Sequence, residues 1–140
     1  MRAQASLLTA SLLLFSCSIP AVGSQGATTR MEDVLAHPNL YNGKRLTFYA
    51  WVSLRHEDQN LWVTWNDHEN WETRKCMSLT NYDVLSGKAT TLDGRLVKVT
   101  GVVRIDASEK GAFIRLAACR NLALELLDAT SVEVLGPAGR

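Results

Sequence analysis

Long apolar runs are missing from this 140-residue chain once its first two dozen residues are passed. No later segment reaches the roughly 18 consecutive apolar residues that a membrane-spanning helix requires. Charge of one sign is missing too, with 15 Lys+Arg against 14 Asp+Glu and a net +1. Nothing global therefore draws the chain to nucleic acid or to acidic lipid. Catalytic signatures are absent: there is no G-x-S-x-G, no H-E-x-x-H and no phosphate-cradling glycine loop. Carboxylate pairs arise in any chain with 14 acids and do not argue for glycoside hydrolysis. The expectation is a protein without catalytic residues and without a cofactor. Internal repeats and low-complexity blocks are also lacking, and at about 150 residues per domain the length allows one domain.

What is present begins with a leader. Arg2 supplies a short positive region, and residues 7–15 form an apolar stretch too short to cross a bilayer. Two endings compete. Ala21-Val22-Gly23 offers small residues for a conventional cut that removes residues 1–23. Leu14-Phe15-Ser16-Cys17 is similar to a bacterial lipobox, which gives a signal of residues 1–16, a lipidated Cys17 and a small, polar tether over 17–28. Phe15 departs from that pattern. Either route predicts export to the periplasm, with membrane attachment only through Cys17. Loss of residues 1–23 removes Arg2 and no acid, leaving 14 basic against 14 acidic groups. A neutral mature chain weakens the case for nucleic acid further. Of the three cysteines, Cys76 and Cys119 remain, and a pair in an oxidising compartment predicts one structural disulfide.

Along the mature chain, Thr29-Arg30-Met31-Glu32 fits a capping box, and Met31, Val34 and Leu35 continue at helical spacing until His37-Pro38. Asn42-Gly43 marks a turn. Residues 44–55 alternate, with Leu46, Phe48, Ala50, Val52 and Leu54 on one face and Thr47, Tyr49, Trp51 and Ser53 on the other. A second strand is expected over 61–65, a polar loop over 66–74, and a third strand over 75–80. A short helix closed by Gly87 follows. Residues 95–105 are the clearest strand, with Val97, Val99, Val103 and Ile105 in phase around Gly101, where a bulge or bend is expected. After a loop over 106–111, residues 112–118 and 121–127 read as a bent strand or a strand pair. The second run is Leu-rich enough to suit a helix as well. Gly136-Pro137-Ala138-Gly139-Arg140 reads as a frayed tail beyond a single domain over 29–135.

Helix, three strands, short helix, two strands: this is the layout of a five-stranded Greek-key barrel of the OB type, all-β with short helices. Tyr41-Asn42-Gly43-Lys44-Arg45-Leu46, and later Leu92-Asp93-Gly94-Arg95-Leu96-Val97-Lys98-Val99-Thr100-Gly101, resemble the G-[KR]-x-V-x-V-x-G phrase with which OB-fold strands enter the barrel. Over roughly residues 41–127 the chain is most similar to small exported bacterial OB-fold-like proteins of unassigned activity. The resemblance implies a fold rather than a reaction. Ala50 stands where the phrase would offer glycine.

The candidate chemistry is aromatic. Tyr49, Trp51, Trp62, Trp65 and Trp71 crowd into 23 residues, and they include all four tryptophans of the chain. Alternation turns Tyr49, Trp51 and Trp62 outward, and an exposed aromatic face on the first strands of an OB barrel is where bases or sugar rings stack. The alternative is a satellite cluster covered by the 66–74 loop or the N-terminal helix. Arg55, Arg74 and Lys75 flank these rings but are outnumbered by Glu57, Asp58, Asp67, Glu69 and Glu72. That mixture suits an envelope glycan or protein segment better than a polyphosphate. His56-Glu57-Asp58 and Asp67-His68-Glu69 lack helical metal-ligand spacing, so no metal site is assigned. Only a meeting of the two loops would bring His56 and His68 together for metal-assisted hydrolysis. The function expected is that of a non-catalytic envelope binding module. The alternatives are an accessory subunit of an envelope complex and, below it, that hydrolase.

Overall fold

A computed structural model describes residues 28–55, 58–105, 119 and 121–138. The leader, the alternative cleavage sites with Cys17, His56 and Glu57, the loop and strand expected over 106–118, and the last two residues lie outside them.

Strand β1 (Arg45–Ser53) begins the sheet. Its last three residues pair antiparallel with β2 (Asn60–Trp62), in register Trp51 with Trp62 and Ser53 with Asn60. Strand β2 pairs antiparallel with β3 (Cys76–Thr80). Strand β3 runs parallel to β5 (Leu122–Leu126), which pairs antiparallel with β4 (Arg95–Ile105). Along eight residues β4 returns to β1, and the ring β1-β2-β3-β5-β4 closes. This order, with one parallel pair, is a five-stranded OB-like barrel. The Leu-rich run over 121–127 is a strand, not a helix.

Alternation fills the barrel as the sequence implies. Phe48, Ala50 and Val52 of β1, Leu61, Met77, and Val97, Val99 and Val103 of β4 are all fully buried in one core. Helix α1 (Met31–Ala36) adds Met31 and Val34, and the segment linking β3 to β4 adds Leu85 and Leu92. At about 25 cal/mol per Å² of apolar surface, this burial is the main force holding the barrel.

Several local expectations change. Helix α1 starts after Arg30, without a side-chain cap. Thr29 is not its cap because the Thr29 amide donates to the Thr47 carbonyl at 2.9 Å, which ties the chain to β1 instead. His37-Pro38 does end α1, but Pro38 also opens α2 (Pro38–Tyr41), where a missing N–H costs nothing. The second strand ends at Trp62, and Trp65 starts α3 (Trp65–Glu69). The expected polar loop is therefore partly helical. Between β3 and β4 lie a 3-10 turn (Tyr82–Leu85) and α4 (Ala89–Leu92). A sixth strand, β6 (Val132–Ala138), occupies most of the supposed tail and pairs with β4 outside the ring. Its register with β4 shifts between Val97 and Arg95, as suits an edge strand containing Pro137.

Gly101 is required for a reason other than a bulge. Its ladders with β1 and β5 run unbroken through Leu46 and Leu126. A Cβ at this position would stand 2.6 Å from the Glu125 carbonyl oxygen and 2.7 Å from Leu124 Cγ. Here β4 exchanges β6 for β5 along one edge, and the β5 backbone comes too close for any side chain. Gly101→Ala is expected to lose about 3 kcal/mol of stability. Urea unfolding of the variant beside the parent measures it.

Candidate functional site

Trp51, Trp62, Trp65 and Trp71 meet on the outside of the barrel by the β1–β2 pair, whereas Tyr49 lies opposite Lys98 of β4 and no ring contact among the described residues joins it to them. Trp51 and Trp62 point outward from partnered positions, because Val52 and Leu61 beside them point into the core. Helix α3 then folds back over them. Thr64 caps it: the Thr64 hydroxyl accepts from the Asp67 amide at 3.1 Å, and the Asp67 carboxylate accepts from the Thr64 amide at 3.1 Å. The signal for this helix is the Thr64-x-x-Asp67 spacing. Alternation continuing through Val63 and Trp65 masks it.

With α3 in place, His68 becomes the centre of the cluster. Its ring stacks on Trp65 at 4.3 Å and meets Trp62 edge-on at 5.1 Å. Trp51 approaches Trp65 at 6.1 Å, and Trp62 approaches Trp71 at 5.6 Å. The imidazole contacts the indoles of Trp62, Trp65 and Trp71, with Trp51 reached through Trp65, a role its sequence position does not suggest. Asp58 accepts from His68 Nε2 at 2.9 Å, which fixes the ring plane and places the proton on that nitrogen. His68 Nδ1 is buried and has no hydrogen-bond partner among the described residues.

Exposure divides the five predicted residues. Trp62 is 0% exposed, with its Nε1 donating to Ser53 Oγ at 2.9 Å. It packs with the bonded pair Cys76 and Cys119, whose Cα atoms are 5.4 Å apart. Trp51 and Trp65 are half-buried. The Trp65 indole lies over Gly94, and its Nε1 donates to Glu69 at 3.0 Å. Trp71 is 54% exposed and Tyr49 51%. Trp62 thus faces away from the core but does not belong to an open surface. Cover from α3 and the disulfide, which no local pattern encodes, decides its burial.

Trp71 carries a second peculiarity. Its φ is +55°, in the left-handed region that side chains other than Asn and Gly enter rarely. The turn that enforces it is well bonded, with the Trp71 amide donating to His68 O at 3.0 Å and the Glu72 amide to Asp67 O at 2.8 Å. Such strain costs about 1–3 kcal/mol and gathers at functional positions. Here it presents a large apolar ring to solvent beside Asn70 and Glu72.

Charge on this face is arranged to hold α3. Burial pushes the Asp67 carboxyl up, but hydrogen bonds from Lys75 (2.8 Å) and Thr64, together with the Lys75 charge, outweigh it and leave Asp67 below its usual value. A carboxylate whose pKa is lowered by folding stabilises the fold above its unfolded pKa of about 3.9. That contribution drains away as pH falls through the lowered folded value. Asp67→Asn is expected to flatten this acid-side loss of stability, read as unfolding midpoints between neutral pH and the onset of acid unfolding.

His56 lies outside the described residues, so its meeting with His68 is not seen. Among the described residues, no group of three or more His, Cys, Asp or Glu side chains gathers as metal ligands would. No described helix is long and apolar enough to cross a membrane. No protein-family model matches the chain, and no curated protein matches it.

Proposed function

We propose that this is an exported, non-catalytic binding module of the bacterial cell envelope that holds a glycan on the aromatic outer face of an OB-like barrel. It would be of the same kind as the small exported OB-fold-like proteins its strand phrases resemble. Export rests on the leader, and a lipid anchor at Cys17 is the alternative to a freely periplasmic form. The observation that carries the reading is the exposed Trp71 indole, backed by Trp62 and held in a left-handed turn. A flat indole offers a stacking surface to the C–H face of a sugar. Asn70 and Glu72 beside it supply the amide and carboxylate groups that bond hydroxyls. The balanced charge supports a ligand of low charge density over a polyphosphate.

A second reading, an accessory subunit that seats this face against a partner protein, draws on the half-buried state of Trp51 and Trp65. Titration of the purified protein with soluble peptidoglycan oligosaccharides, followed by tryptophan fluorescence, separates the two. The glycan reading expects a saturable change that Trp71→Ala weakens at least about tenfold, equivalent to about 1.4 kcal/mol. No change with glycan, or a change indifferent to Trp71, rejects it in favour of a protein partner.

A further inference from the structure

We propose that Asn60 and Ser78 form an internal site for one resident water molecule, bound between strands β2 and β3 on the outer side of the barrel wall. The inference is independent of any ligand on the aromatic face. Asn60 and Ser78 are direct partners in the β2–β3 ladder. Both point away from the core, since Leu61, Met77 and Leu79 beside them face inward. Both are nevertheless buried, at 1% and 3% exposure.

Their hydrogen bonding is incomplete in a complementary way. The Asn60 amide is oriented by Asp58, whose carboxylate accepts from Asn60 Nδ2, so Oδ1 is left as the remaining acceptor. Asn60 Oδ1 and Ser78 Oγ are both buried without a hydrogen-bond partner among the described residues. Directly opposed side chains in an antiparallel pair have Cβ atoms about 4.5–5.5 Å apart. Two hydrogen bonds of about 2.8 Å through one oxygen reach across about 4.5 Å, which suits a bridging water. Such a water donates one proton to Asn60 Oδ1 and either donates to or accepts from Ser78 Oγ.

Room for it comes from the neighbours. Ser53 and Ala123 flank the pair on β1 and β5, so the row across four strands reads Ser53, Asn60, Ser78, Ala123, with short side chains throughout. A site with polar partners and small walls retains water, whereas an apolar void stays dry. The molecule would also act at a distance. Asn60 holds Asp58, Asp58 holds His68, and His68 contacts the indoles of Trp62, Trp65 and Trp71. The water therefore completes the polar support under the aromatic cluster.

Water-to-protein cross-relaxation NMR on the oxidised, isotope-labelled protein tests the site. The expected result is cross-peaks from a long-lived water to the Asn60 side-chain amide and the Ser78 backbone amide. In Ser78→Ala the Asn60 cross-peak disappears while the dispersed backbone spectrum of the folded barrel is kept. Absence of any long-lived water at these protons in the parent protein overturns the proposal, and that spectrum decides even if the variant does not fold. Persistence of an undiminished Asn60 cross-peak in a folded Ser78→Ala variant overturns it equally.

Discussion

Trp62→Ala is expected to cost about 4 kcal/mol of folding stability, against less than about 1 kcal/mol for Trp71→Ala. The indole of Trp62 is fully buried and fills the space between His68, Trp71 and the Cys76–Cys119 bond. Its removal combines the loss of a large apolar side chain with a cavity that β1 and β2 cannot close, because their ladder is held by Trp51, Val52 and Ser53. Ser53 Oγ also loses the Nε1–H it accepts. Trp62→Phe separates the two parts, keeping most of the volume and forfeiting the hydrogen bond for about 1 kcal/mol. Trp71, more than half exposed, has little packing to lose, and replacing it alters the surface rather than the fold. Guanidinium unfolding midpoints measure the contrast. A destabilising Trp71 variant beside a neutral Trp62 variant would reverse the assignment of the two rings.

Removal of the disulfide is the other large effect. Cys76 and Cys119 are 43 positions apart, and closing a loop of that length lowers the entropy of the unfolded chain by an amount worth about 4 kcal/mol. The bond secures the chain just ahead of β5 to the first residue of β3. The same stretch supplies the parallel β3–β5 pairing, which joins strands distant in sequence, as Ser78 with Ala123. Paired Cys76→Ala and Cys119→Ala substitutions are expected to lower the unfolding midpoint by that amount, with reduction of the parent protein producing a similar fall. Cys76 lies opposite Trp62 in the β2–β3 ladder, so cysteine and Trp62 substitutions are expected to combine non-additively. An unchanged midpoint on reduction would mean that the cross-link contributes nothing beyond the barrel.

Much of this fold was legible where burial and spacing coincide. Strand β4 has the expected bounds, 95–105, and the inward face of β1 is the one that alternation assigns. The cysteine pair followed from counting. Three readings failed because a competing interaction, distant in two cases and local in one, outweighed the signal that was followed. Thr29 has the spacing of a helix cap, but its amide is taken by Thr47 on β1. Trp65 continues a strand-like alternation, but Thr64 and Asp67 cap a helix from that point. Gly136-Pro137 looks like an unstructured end, but the edge of β4 supplies Val132–Ala138 with a strand partner. The four tryptophans of the candidate site were legible as a group, since they crowd one stretch of chain, while Tyr49, read with them, stands apart. Their division was not. Trp62 and Trp71 differ in exposure because α3 and the disulfide cover one and leave the other open, and that depends on tertiary contacts. His68 was visible as a metal candidate, and nothing local marks it as the ring that joins the indoles.

The central claim is that one tryptophan anchors the outer face from within while another is offered to solvent and to a ligand. Hydrogen exchange of the four indole N–H groups, followed by NMR before and after addition of a soluble peptidoglycan oligosaccharide, tests it most directly. The account predicts that Trp62 Nε1–H, bonded to Ser53, exchanges slowest. It predicts that Trp71 exchanges rapidly in the free protein and that its resonance shifts most on titration. Equal protection of Trp62 and Trp71, with no indole responding to the glycan, would contradict it.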